Sequence, residues 1–109
     1  MPDLAPGMVA VHNDEFGQHH AVILEIVGAE CKALFFTSNS HWGAMSRRAT
    51  KDELAMAGFV YSRTTYLTYV TRSVWDFHVT DLSFPKHWIQ SLRQEFVQGK
   101  PLVRTRTNA

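Results

Sequence analysis

The stretch Gln18–Ser38, QHHAVILEIVGAECKALFFTS, decides the fold. Ala21 to Val27 is apolar apart from Glu25, and Ala33 to Phe36 is apolar throughout, with Gly28-Ala29-Glu30 between the two runs. Short runs rich in Val, Ile and Phe around a glycine-containing turn predict a β-hairpin. The missing polar alternation predicts strands covered on both faces. A lone hairpin cannot hide its own apolar faces, so the flanking segments must supply the rest of a sheet. The polar exit Thr37-Ser38 opens onto the most loop-like part of the chain, which makes it the first place to look for a site.

Working outward, Pro6-Gly7 marks a turn, and Met8 to His12 alternates as a short strand entering the sheet. Asn13 to Gly17 reads as a polar loop joining that strand to the hairpin. Asn39 to Arg48 shows no sustained period and is expected to be a long irregular loop. Thr50-Lys51-Asp52-Glu53 fits a capping box, so a helix of about two turns should follow and stop at Gly58. Thr64 to Ser73 and Val74 to Val79 are strand candidates. In the second, Trp75, Phe77 and Val79 form an apolar face against Asp76 and His78, as in a half-buried strand. A final helix capped by Ser83, with Pro85 in its first turn, carries the stripe Trp88, Ile89, Leu92 and Phe96, and ends at Gly99 before Pro101.

The chain has 109 residues, 45% hydrophobic and 19% charged, with a formal charge of +1. That suits one globular domain over residues 1–100, with 101–109 as a frayed tail. The near-neutral total neither demands nor excludes a nucleic-acid partner. Acidic residues gather in the first third, while Arg47, Arg48, Arg63 and Arg72 fall in the middle. Cys31 is the single cysteine, which excludes an internal disulfide and a thiolate metal cluster and points to a reducing compartment. The start of the chain has no basic-then-apolar leader, and no apolar run approaches the roughly 18 residues that span a bilayer. The reading is a soluble cytoplasmic protein with no membrane partner.

The order of elements, with Pro6-Gly7-Met8-Val9, Ala21-Val22-Ile23-Leu24, Phe36-Thr37-Ser38 and the closing helix after Leu82-Ser83, resembles the PemK/MazF-like toxin family. The matching family strings are its "GDVV"-, "PVVVL"- and "PITS"-type strands, and the likeness covers roughly residues 7–98. It implies a mainly β fold, a small SH3-like barrel with one short helix and a C-terminal helix packed on it. It also implies a homodimer, an antitoxin partner, and metal-independent endoribonuclease action on single-stranded RNA. Thr37 stands where the family keeps its functional Thr or Ser. The family's Arg-Pro pair before the second strand is replaced by His19-His20.

Metal-free RNA cleavage needs a base for the 2′-hydroxyl, an acid for the leaving 5′-oxygen and a cation for the phosphorane. His20 and Thr37 are the expected catalytic residues, His20 being either a buried histidine or one at the mouth of the core. His19, which must face the other way on the same strand, is a candidate contact for RNA or a protein partner. Ser38, Arg47 and Arg48 are candidate phosphate contacts, and His41 and Trp42 candidate base-stacking residues. Solvated charge and a folded-back Trp42 are the structural alternatives. The six histidines show no zinc-ligand spacing, so neither a metal nor another cofactor is expected. The competing function, favoured by the missing arginine, is an inactive barrel that binds a host protein or nucleoprotein as an inhibitor from a phage or mobile element.

Overall fold

The computed structural model describes residues 3–15, 17–38, 45–59 and 65–97. Six strands run β1 (Met8–Asp14), β2 (Gly17–Val27), β3 (Glu30–Thr37), β4 (Ser46–Arg48), β5 (Tyr66–Ser73) and β6 (Phe77–Ser83). Helix α1 (Lys51–Met56) lies between β4 and β5, and α2 (Lys86–Leu92) follows β6 and runs into a π turn over Arg93–Val97. The fold is mainly β, one antiparallel sheet in the order β4-β5-β3-β2-β1-β6.

The central hairpin forms as expected and is longer. Val27 pairs with Glu30 across Gly28-Ala29, and positive φ at Gly28 alone matches a turn whose first residue must be left-handed. Near Ile23 the register slips by one residue, so Leu24 and Glu25 together oppose Lys32. Such a bulge turns two successive side chains to one side. Leu24 enters the core there, and Glu25 accepts a 3.1 Å hydrogen bond from Arg93 Nη2.

The two faces of the sheet are covered differently. On one, Val9, Val22, Leu24, Leu34, Phe36 and Leu67 meet Phe84, then Ile89 and Leu92 of α2, and Phe96 of the π turn. Each fully covered aliphatic or aromatic side chain there contributes about 1.5–3 kcal/mol. The other face holds Ala10, Ala21, Ile23, Cys31, Ala33, Phe35, Val70, Val74 and Phe77 with no α-helix among them. Phe77 on β6 and Phe35 on β3 are three strand spacings apart, about 14 Å in a flat sheet. Their ring centroids are 6.4 Å apart. The sheet therefore curls, with this second face inside and small alanines lining the bend.

Several expectations need correction. The sheet is curled but open: β4 and β6 are its two ends, and no ladder joins them among the described residues, so the closed barrel is not observed. Asn13 and Asp14, expected in a loop, are the last residues of β1, which pairs with β2 down to Asp14 opposite Gly17. Ser46–Arg48, expected to be irregular, forms β4 because its backbone finds the outer edge of β5. The presumed strand at Val74 is a 3₁₀ turn, Val74–Asp76, pinned by Val74 N–H donating to Ala29 O (2.9 Å) and capped by the Ser73 hydroxyl. That turn breaks the alternation, so Phe77 is buried while Trp75 and Val79 are exposed. Ser83 ends β6 opposite Met8 and does not cap α2, whose N-cap is Pro85. In β6 three residues, Thr80–Leu82, stand opposite the single Val9, and the Thr80 hydroxyl donates to Val9 O and accepts from Leu82 N–H. The tail and Gly99-Lys100-Pro101 lie outside the described residues.

The capping box at α1 is present as read: Thr50 Oγ1 accepts from Glu53 N–H (3.1 Å), and Glu53 Oε1 accepts from Thr50 N–H (2.8 Å). Among the described residues no helix is long and apolar enough to cross a membrane. After α1, Gly58 has φ +90°, and a Cβ there would stand 2.7 Å from Leu82 Cδ1. Gly58→Ala should cost about 1–3 kcal/mol in urea denaturation. Adding Leu82→Ala should recover the clash but not the backbone strain, so partial rescue is expected.

Candidate functional site

Side-chain parity divides the predicted site residues between the two faces. His20 shares the helical face with Val22 and Leu24, opposite Val11, and its half-buried ring meets Phe59 edge-on at 5.2 Å. Thr37 is three strand positions past Leu34 and faces the inner side opposite Tyr66; only 7% of it is exposed. The expected catalytic pair is therefore not brought together. Ser38 is exposed just past the end of β3. His41 and Trp42 lie outside the described residues.

Arg47 and Arg48 are likewise split. Arg47 faces the helical side opposite Leu67, and its guanidinium is held between two carboxylates. It donates to both Glu53 oxygens at 2.9 Å and to both Glu95 oxygens at 2.6 and 3.1 Å. Burial opposes the charges, but the hydrogen bonds from Arg47 outweigh it and hold the Glu53 carboxyl below its usual range; the Arg47 guanidinium is raised in turn. A cleft of about 260 Å³ beside this cluster is lined by Arg47, Glu53, Trp88, Ser91, Leu92 and Glu95. One cation against two carboxylates repels phosphate, so Arg47 is a structural ion-pair partner and not the expected counter-charge. Arg48 is exposed and faces the inner side opposite Tyr66.

The inner face gathers a different set, centred on the fully buried ring of Phe35. His19 stacks on it at 5.3 Å with an interplanar angle of 13°. His12, directly opposite His19 on β1, meets Phe35 and Phe77 at 5.0 Å each, and its Nε2 lies 4.0 Å from Asp76 Oδ2. Arg72 places its guanidinium carbon 5.3 Å from the Phe35 centroid and donates from Nη1 to Thr71 O at 3.0 Å. Thr37, Tyr66 and Arg48 extend the set across β3, β5 and β4. Arg47 and Arg93 are ion-paired on the helical side, whereas neither Arg48 nor Arg72 has a carboxylate partner among the described residues. Phe35, His12 and Thr37 are buried, whereas His19, Tyr66, Arg72 and Arg48 keep exposed surface; partly exposed rings and guanidiniums of that kind can stack on bases and hold phosphates.

Sequence reasoning missed His12, Tyr66 and Arg72. Strand alternation alone puts Arg72 on the Tyr66 side of β5. The partner needed to give that side a meaning, His12 opposite His19, depends on β1 running on to Asp14. Among the described residues no three His, Cys, Asp or Glu side chains converge as a metal group. Cys31 is buried on the inner face. No family model matches the chain, and no curated protein or solved structure is significantly similar to it.

Two outcomes follow from this geometry. Burial pushes the Cys31 thiol up to about 11, so it should resist alkylation in the folded protein at pH 8 and react at once in urea. A native Glu53 pKa below the unfolded one means its stabilisation is present above about pH 4.3 and is lost as pH falls. Glu53→Gln should cost about 1–3 kcal/mol at pH 7 and flatten the stability curve between pH 5 and 3, read by urea titrations across that range.

Proposed function

We propose that this chain is a PemK/MazF-like protein of the cytoplasm that binds single-stranded RNA without cutting it. The observation that carries the reading is the rim where β3, β4 and β5 end: Arg48, without a carboxylate partner among the described residues, stands beside Tyr66 on the same face as His19 and the buried Thr37, with Ser38 exposed next to them. A guanidinium beside aromatic rings and hydroxyls suits an unpaired strand, whose phosphates need cations and whose bases need flat surfaces. Duplex RNA keeps its bases stacked and offers no such faces.

Binding is favoured over cleavage by the separation of the chemical groups. His20 and Thr37 occupy opposite faces, and Arg47 is neutralised by Glu53 and Glu95. His12, next to His19, is only 4% exposed, too enclosed to exchange a proton with a substrate hydroxyl. This supports the inactive, binding form of the fold, for which RNA within a host nucleoprotein is one natural target.

Fluorescence anisotropy with a labelled single-stranded RNA tests the reading. Arg48→Glu should weaken binding roughly tenfold or more at low salt, and a duplex of the same sequence should compete poorly. His20→Ala, on the other face, should bind within about twofold of the parent. RNA incubated with the protein in EDTA should stay intact. Absence of micromolar binding would sink the proposal, and cleavage that disappears in His20→Ala or Arg47→Ala would return the chain to the nucleases.

A further inference from the structure

We infer that Arg47 is the positioning residue for Arg48, so that ion pairs on the helical side set how tightly the opposite face holds RNA; this rests on the RNA reading above. Strand β4 has three residues, Ser46, Arg47 and Arg48, and among the described residues it pairs only with β5. So short an edge strand, held by its ladder alone, belongs to the least stable part of a fold. Arg48, the phosphate contact, is its last residue.

The Arg47 side chain supplies the missing hold. Its Nη1 donates to Arg48 O at 2.9 Å, so one residue's guanidinium fixes the backbone of the next. The same Nη1 donates to Glu53 Oε1, the oxygen that also accepts Thr50 N–H, which joins the clamp to the N-cap of α1. Nε and Nη2 donate to Glu95 on the π turn. On the far side of Arg48 the chain is secured by Ala49 N–H, which donates to Thr65 O at 2.9 Å. With this clamp closed, Arg48 has only its own side chain to order on a phosphate. With it broken, apparent affinity falls by the fraction of molecules in which β4 stays docked.

Simple charge counting makes the opposite prediction, and that difference in sign is the test. Glu95 is an anion, and removing it should strengthen the attraction of the whole protein for a polyanion. Binding of labelled oligouridylate to the full chain is read by anisotropy, at a temperature where circular dichroism shows the compared variants folded. Glu95→Gln keeps the shape but offers one acceptor oxygen in place of two, and it should weaken binding roughly fivefold. Glu25→Gln takes the same charge from the Arg93 pair, away from β4, and should bind as tightly as the parent or slightly tighter. Arg47→Lys preserves the net charge but lacks the planar fork; it should show the same loss as Glu95→Gln and replaces it if that variant does not fold. An affinity of Glu95→Gln or Arg47→Lys equal to or above that of the parent would overturn the inference, as would an equal loss in Glu25→Gln. Failure of the parent to bind would instead remove the RNA reading on which it stands.

Discussion

The bend of the sheet around Phe35 is the constraint on which the rest of the molecule depends. A sheet can curl tightly only where its inner face is thin, and Ala10, Ala21 and Ala33 supply that thinness on three adjacent strands. One large ring then fills the space they leave, touched by His12, His19, Phe77 and Arg72. Larger side chains at the alanine positions would force the strands apart, and a smaller residue at Phe35 would leave a cavity beneath the side chains that now rest on its ring.

Once the sheet bends, the two-residue period of a strand becomes a sorting rule for charge as well as for apolar surface. Positions on the outer face meet helices, and the ionic groups there are consumed in holding those helices down: Arg47 ties β4 to α1 and to the turn after α2, and Arg93 ties that turn to the β2 bulge. Among the described residues, positions on the inner face meet no α-helix, and the cations there, Arg48 and Arg72, have no carboxylate partner. Neighbouring residues in sequence, His19 and His20 or Arg47 and Arg48, thereby have different roles.

The central hairpin, the capping box and the apolar stripe of the last helix were legible because each is a local pattern whose cause lies within a few residues. The strand at Ser46 was not, since three residues become a strand only when an edge is waiting for them. The 3₁₀ turn at Val74 was hidden for a similar reason: its sequence alternates as a strand does, and a backbone hydrogen bond to Ala29, far along the chain, overrides the pattern. Of the candidate site, the position of the polar exit Thr37-Ser38 at the end of β3 was legible from the apolar run that precedes it. The partner residues were misassigned because proximity in sequence stood in for a shared face, and two adjacent arginines looked interchangeable until Glu53 and Glu95 claimed one of them.

The last strand carries a quieter consequence. A β-sheet with two ends invites other copies of the chain to continue its ladder, the first step towards insoluble aggregates. At Thr80–Leu82 the regular spacing fails: three residues stand opposite Val9, and the Thr80 hydroxyl turns to Val9 O while accepting from Leu82 N–H. An incoming backbone therefore finds no continuous row of groups to copy.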